Sequence, residues 1–196
     1  MREYHPLEAY PLAKHGPCML AQPVAPRVTL DSPALEVMTD LARVSAVSIH
    51  PGATLQEANG YMIARGVRSL FVMAHDGSVQ GLITATDILG ERPIRVGQAR
   101  GMARGELSVR DVMTPVETAV AFLLRDVMGA KVGHIVASLK QSSRHHALVA
   151  EHTSAGERIR GIFSASEIAR QLGEPVLIAE FATTFAEVEQ ALAHER

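Results

Sequence analysis

Hydrophobic and polar positions along the first half of the chain predict a strand, a helix, two strands and a second helix, in that order. A short run of small and apolar residues at 45–49 stops at Pro51-Gly52, which is typical of a strand. Thr54-Leu55-Gln56-Glu57 forms a capping box, and Gly66 suits the left-handed end of the helix that follows. The apolar face of this predicted helix carries Leu55, Ala58 and Met62.

A hairpin and a short helix are predicted next. The strand-like runs 67–73 and 79–83 are separated by Asp76-Gly77, a common hairpin turn sequence. Thr84 or Ala85 then opens a short helix that reaches about Leu89.

The second half repeats this order between residues 118 and 172. Its hairpin is predicted at 145–151 and 160–163, and Ser164 opens its last helix. The region 122–133 is less regular, since it offers neither a Pro-Gly break nor a clean helix cap. The first helix of this half has an apolar stripe of Val132, Ile135, Val136 and Leu139.

Two sequence motifs recur in the same order, which indicates an internal duplication. Val37-Met38-Thr39 returns as Val112-Met113-Thr114, and the run 81–88, Gly-Leu-Ile-Thr-Ala-Thr-Asp-Ile, returns at 161–168 as Gly-Ile-Phe-Ser-Ala-Ser-Glu-Ile. The two pairs of motifs are 75 and 80 residues apart. We therefore expect two similar units.

Composition narrows the class of protein. The 196 residues are 47% hydrophobic and 20% charged, which is ordinary globular composition. Lys and Arg total 19 against 21 acidic residues, so a surface built as a whole for nucleic acid is not expected. A single cysteine, Cys18, excludes an internal disulfide. No apolar run approaches the length of a membrane span, and we expect a cytoplasmic protein.

Each repeat resembles a CBS domain (cystathionine β-synthase domain), and together they resemble a CBS pair. The resemblance rests on the Val-Met-Thr openings, the shared element order and the Gly-apolar-apolar-Thr/Ser-x-x-acid closings. It implies an α+β fold of tandem βαββα units about a pseudo-twofold axis, with two clefts for adenosine-containing ligands. The predicted organisation is an N-terminal proline-rich arm at 1–34, a first CBS domain at 35–94, a linker at 95–106, a second CBS domain at 107–173 and a C-terminal strand and helix at 174–196.

The closing motifs supply the first candidate ligand residues. By resemblance, Thr84 would donate to a phosphate and Asp87 would accept from the ribose hydroxyls, while Ser164 and Glu167 hold the matching places in the second copy. The alternative is that both pairs only cap their own helices. Ligand binding is favoured for the first copy. Capping is favoured for the second, because Glu167 replaces the family's Asp and its longer side chain suits a cap.

Arg68 and His145 stand at the start of the second strand of each copy, where the resemblance implies contacts to phosphate. A cationic side chain there would bind an anion, and a solvated strand end is the alternative. A metal site at His145, His146 and His152 is disfavoured, because neighbouring residues on a strand point to opposite faces.

The connection between the copies is basic and rich in glycine. We favour a flexible, solvated linker over an anion-binding flap or a nucleic-acid contact. Its arginines are Arg92, Arg95, Arg100, Arg104 and Arg110.

No nucleotide-hydrolase, dinucleotide, zincin or hydrolase-elbow motif is present, so we expect no enzyme and no required cofactor. The resemblance implies a sensor that binds AMP, ADP, ATP or S-adenosylmethionine and signals to a partner protein not specified by the sequence. We expect a homodimer, partly because a terminal amphipathic helix is predicted near 184–196. The N-terminal arm reads as a free tail or, alternatively, a strap along a partner subunit. The alternative function is a ligand-free dimerisation or scaffold module.

Overall fold

The computed structural model describes residues 5–10, 12, 17–20, 28–154 and 156–178. In these residues the chain forms two four-stranded sheets with helices. The strands are β1 (Thr39–Asp40), β2 (Ser48–Ile49), β3 (Ser69–Met73), β4 (Val79–Thr84), β5 (Thr114–Pro115), β6 (Ala121–Leu123), β7 (His146–Thr153) and β8 (Gly156–Ser164). The helices are α1 (Leu55–Arg65), α2 (Ala85–Leu89), α3 (Arg92–Arg100), α4 (Val109–Val112), α5 (Leu124–Met128), α6 (Val132–Gln141) and α7 (Ala165–Leu172).

The two sheets have the same plan. The first has the order β2-β3-β4-β5, and the second has the order β6-β7-β8-β1. In each, a parallel pair precedes the central antiparallel hairpin, and a short antiparallel strand closes the edge. The predicted α+β fold with two similar units is confirmed.

The closing edge strands are exchanged between the units. β1 starts in the first Val-Met-Thr motif but pairs with β8, with Thr39 opposite Ile162. β5 starts in the second Val-Met-Thr motif but pairs with β4, with Thr114 opposite Leu82. Each sheet is therefore completed by residues of the other repeat.

Three apolar clusters hold this arrangement. The first lies between the first sheet and helices α1 to α4, and includes Leu70, Ile83 and Val112. The second lies between the second sheet and helices α5 to α7, and includes Val149 and Phe163. The third joins the outer faces of the two sheets through Phe71, Leu82, Leu148 and Ile162. Since side chains alternate across a strand, one face of each hairpin packs in the core of its own unit and the other face packs against the other unit.

The best-defined sequence signals are confirmed. Thr54 accepts from the backbone N–H of Glu57, whose carboxylate accepts in return from the backbone N–H of Thr54. Gly66 ends α1 in the left-handed region at φ 64°. Asp76-Gly77 forms the hairpin turn, in which the Asp76 carboxylate accepts from the backbone N–H of Ser78.

The prediction of a flexible linker is wrong. Residues 92–100 form α3. Pro93 lies in its first turn, and Gly101 ends it in the left-handed region at φ 66°. Arg100 binds the Asp111 carboxylate, and Arg104 donates to the Ile88 carbonyl at 2.8 Å. Arg100 and Arg104 thus bind the connection to the first unit, whereas Arg95 and Arg110 are exposed.

The last part of the N-terminal arm packs on the second unit of the same chain. Val28 and Ala34 are buried in the second core. The carbonyls of Leu30 and Ser32 accept from the backbone N–H groups of Gly133 and Val132 at the start of α6. The prediction of a free tail is therefore wrong for residues 28–34. The predicted terminal helix lies outside the described residues, as do residues 179–181 of the extra strand predicted at 176–181. Residues 176–178 are described and form no strand.

Candidate functional site

Polar residues lie at one end of the two sheet faces that meet between the units. Ser69 is paired with Thr84 in the first sheet, and His146 is paired with Ser164 in the second. By strand alternation, these four positions share a face with the four apolar residues of the interface. The faces that join the units thus become polar where α2 and α7 begin.

Thr84 and Asp87 form a complete capping box at the start of α2. The Asp87 N–H donates to Thr84 Oγ1 at 3.2 Å. Asp87 Oδ2 accepts from the Thr84 backbone N–H at 2.9 Å and from its hydroxyl at 2.7 Å. The hydroxyl hydrogen that the resemblance assigns to a phosphate is therefore engaged by Asp87 in this structure.

Arg92 occupies the other side of Asp87. Its Nη1 donates to Asp87 Oδ1 at 3.0 Å and to Thr114 Oγ1 at 3.1 Å, and its Nη2 donates to the Met113 carbonyl at 2.7 Å. The guanidinium thus joins the closing motif of the first repeat to the opening motif of the second. The Arg92 and Asp87 side chains keep 34% and 19% of their exposure, so solvent reaches the pair.

His146 contributes a group from the second unit. It is largely buried, and this burial lowers the pKa of His146, while the Asp87 carboxylate acts in the opposite direction and His145 adds to the lowering. The burial outweighs the carboxylate, so His146 is mainly neutral near pH 7. We call Thr84, Asp87, Arg92, Thr114 and His146 the inter-unit site.

The second closing motif is arranged differently, and the capping role favoured for Glu167 is wrong. Ser164 precedes α7 without a side-chain capping bond, and its hydroxyl bonds that of Ser166 at 3.0 Å. Glu167 accepts from Arg170 and Gln171 one turn further along the helix. The hydrogen bond from Arg170 is the main cause that lowers the pKa of Glu167. The longer side chain reaches along its helix instead of back to the cap.

Arg68 and His145 occupy equivalent places in the two units. Both are exposed and lie just before β3 and β7, and their carbonyls accept from the first N–H groups of α2 and α7. Their contacts to phosphate stay a prediction. In the part of the chain that the structure covers, no three His, Cys, Asp or Glu side chains are grouped to hold a metal ion.

A second Ser/Thr-x-x-Asp motif provides an internal comparison. The Asp111 carboxylate accepts from the Ser108 backbone N–H and hydroxyl at the start of α4, and Arg100 binds Asp111 as Arg92 binds Asp87. Asp111 is 17% exposed. α4 packs in the first core and not at the inter-sheet cluster. The motif and its arginine therefore occur here in a purely structural setting.

Two open cavities lie elsewhere. One of about 600 Å³ is beside β2 and the start of α1, near His50 and Glu57. The other, of about 590 Å³, lies between β1 and α5, with Asp40, Arg43 and Arg160 among apolar residues. Neither is lined by Ser164 or Glu167.

Sequence reasoning did not assign Arg92, Thr114 or His146 to a site. Thr114 was visible as part of a repeated motif, but its place at Asp87 depends on the strand exchange. Arg92 lies five residues after Asp87, past the turn that ends α2, where no local pattern fixes its direction. His146 precedes the apolar Ala147 on a predicted strand, so the two side chains point to opposite faces of the sheet. This alternation was the available signal that His146 faces away from its own core.

Comparison with known proteins agrees with this architecture. Residues 29–93 match the family model described as the CBS domain. The resemblance found in the sequence is confirmed for those residues, and the second unit has the same sheet order as the first. No curated protein matches the chain.

The chain is also similar to solved structures. An uncharacterised conserved protein from Pyrococcus horikoshii is 24% identical over 73% of this chain and 93% of its own, with a TM-score of 0.52. A CBS-domain containing protein from Agrobacterium tumefaciens is 22% identical over 67% and 88%, with a TM-score of 0.49. CBSX2 in complex with AMP is 16% identical over 71% and 94%, with a TM-score of 0.46. None of the helices in the described residues has the length and hydropathy of a membrane span.

Proposed function

We propose that this protein is a regulatory module that binds an adenine nucleotide or another adenosyl ligand at the inter-unit site. The observation that carries the proposal is the Arg92 guanidinium, which bonds both Asp87 and Thr114 and so brings the two repeats to one polar site. A ligand bound there would contact residues of both repeats.

The chemistry of the inter-unit site fits such a ligand. The Asp87 carboxylate retains acceptor capacity at Oδ1, which accepts one hydrogen bond, from Arg92, among the described residues. Ribose hydroxyls are neutral donors that a partly exposed carboxylate binds well. The Thr114 hydroxyl accepts from Arg92, which leaves its hydrogen to donate to a ligand.

Signalling follows from the position of the site. A ligand that binds one relative arrangement of the units better than another shifts the population toward that arrangement. The interface is an apolar contact between sheet faces flanked by polar ends, so a rotation of one unit would change the separation of Asp87 and His146. A partner protein would recognise the favoured arrangement. The module has no catalytic role in this proposal.

The test is isothermal titration of the full chain with AMP, ADP, ATP and S-adenosylmethionine. AMP heads the panel because one of the similar structures holds it. Asp87→Asn should weaken the best ligand at least about tenfold, since a charged acceptor is lost. Asp111→Asn is the matched control: it alters the corresponding carboxylate contacts to Ser108 and an arginine, and it should leave affinity within about threefold.

A scaffold module is the second candidate function, and the complete capping box at Thr84 and Asp87 favours it. In that case both motifs serve only their helices. No heat of binding with any compound of the panel would support the scaffold and reject the sensor. Equal losses of thermal stability in Asp87→Asn and Asp111→Asn, with affinity unchanged in both, would remove Asp87 from the ligand site.

A further inference from the structure

We infer that Arg92 makes the inter-unit site selective for adenosine compounds that carry a phosphate, over adenosine itself and S-adenosylmethionine. This inference rests on the proposed function and assigns a specificity-determining residue to it. It follows from three features of the site: the unused donors of Arg92, its charge balance and the engagement of Thr84.

The first feature is the hydrogen-bonding capacity of Arg92. A guanidinium has five N–H donors, of which three are engaged by Asp87, Thr114 and Met113 in the described part of the chain. Nε and one hydrogen of Nη2 remain. These are the groups with which Arg160 binds the Asp40 carboxylate through two bonds of 2.8 Å. The same edge of Arg92 fits two oxygens of a phosphate.

The second feature is charge. Asp87 and Arg92 neutralise each other, and burial keeps His146 mainly neutral. A neutral ligand that binds Asp87 shares the carboxylate with Arg92 and offers no anion to the guanidinium. A phosphate supplies a new anion for Arg92 at the moment that ribose engages Asp87. The sulfonium of S-adenosylmethionine instead brings a second cation toward Arg92.

The third feature is that Thr84 does not compete for this role. Its hydroxyl hydrogen is given to Asp87, so in the first sheet and its helices the residues of this site that can still donate to a phosphate are Arg92 and Thr114. Both act on the same side of Asp87. Phosphate recognition therefore depends on the helix α3 that links the repeats, and not on the closing motif alone.

The experiment compares AMP, adenosine and S-adenosylmethionine by isothermal titration of the full chain. The wild type should bind AMP at least about tenfold more tightly than either of the other two, as expected for a charge-assisted contact. In Arg92→Gln, AMP affinity should fall to that of adenosine, while adenosine affinity changes less than about threefold. Arg100→Gln is the matched control and should keep the preference for AMP.

A measurement on the wild type alone completes the test should Arg92→Gln fail to fold. AMP affinity should fall as salt rises from low to moderate concentration, and adenosine affinity should not. Binding of all three compounds with similar affinity, or an unchanged preference for AMP in Arg92→Gln, would overturn the inference and leave the sensor in place. If none of the three compounds and none of the wider nucleotide panel binds, both the proposed function and this inference are rejected.

Discussion

The carbonyl oxygen of Thr114 lies directly against the Cα of Gly81, at the place where the exchanged strand β5 meets β4. A Cβ at residue 81 would collide with this oxygen and lie 3.0 Å from the sulfur of Met113. The equivalent glycine of the second unit, Gly161, has the same relation to β1, since a Cβ there would lie 2.9 Å from the Thr39 carbonyl oxygen. Both glycines are required by the close approach of a strand from the other repeat.

Gly81→Ala should therefore lower the free energy of unfolding by about 1–3 kcal/mol, the usual cost of forcing an extra carbon into a packed site. Gly60→Ala is the control, because Gly60 is exposed on α1 and a Cβ there meets nothing within 4 Å. That variant should gain roughly 0.5–1 kcal/mol from helix propensity. Urea unfolding of both proteins measures the difference. Equal stability of the two variants would show that β4 and β5 are not in close contact.

The two closing motifs predict unequal effects on stability. Thr84→Ala removes the buried side chain of a complete capping box and should cost about 1 kcal/mol of the free energy of unfolding. Ser164→Ala removes a hydroxyl that makes no capping bond and should change stability by less than about 0.5 kcal/mol. Thermal melting of both variants checks the contrast. A larger loss in Ser164→Ala than in Thr84→Ala would contradict the assigned caps.

Strand β1 provides a pH-dependent prediction. Two hydrogen bonds from Arg160, with a further one from the backbone of Ala42, hold the pKa of Asp40 at about 2. The unfolded value is about 3.9, so the contribution of Asp40 to stability is present above about pH 4 and is lost as the pH falls through 2. Asp40→Asn should be less stable than the wild type at pH 6, with the difference shrinking between about pH 4 and pH 2.

Denaturant unfolding at several pH values measures this difference, and Arg160→Gln should give the same pH dependence because it removes the other half of the pair. A difference between wild type and Asp40→Asn that stays constant down to pH 2 would exclude the ion pair as its cause.

The sequence predicts the regular parts of this fold well, because their signals are local. The capping box at Thr54, the left-handed Gly66 and the Asp76-Gly77 turn each fix a boundary through neighbours a few residues away. Helix α3 was not predicted: its arginines suggested a solvated linker, and their partners are up to 22 residues away along the chain. The same limit applies to the inter-unit site. Thr84 and Asp87 carry a recognisable motif, whereas Thr114 reaches them only through the exchanged strand.

Exposed aliphatic side chains support the expectation of a homodimer. Ile63, Leu89 and Ile94 are each more than half exposed and lie on the contiguous helices α1, α2 and α3. We predict that the wild type sediments as a dimer at micromolar concentration, where ordinary homodimers persist. Ile63→Lys combined with Ile94→Lys should give a monomer that still unfolds in a cooperative transition. A monomeric wild type, or a double variant that stays dimeric, would exclude this helical face as the interface.

The exchange of edge strands also governs how the molecule unfolds. Detaching β5 and α4 removes Val109 and Val112 from the first core, and detaching residues 28–40 removes Val28, Ala34 and Val37 from the second. Unfolding of either unit thus removes backbone hydrogen bonds and buried apolar contacts from the other unit at the same time. The duplicated halves consequently share one cooperative transition, and free energy gained by a ligand in one half stabilises both.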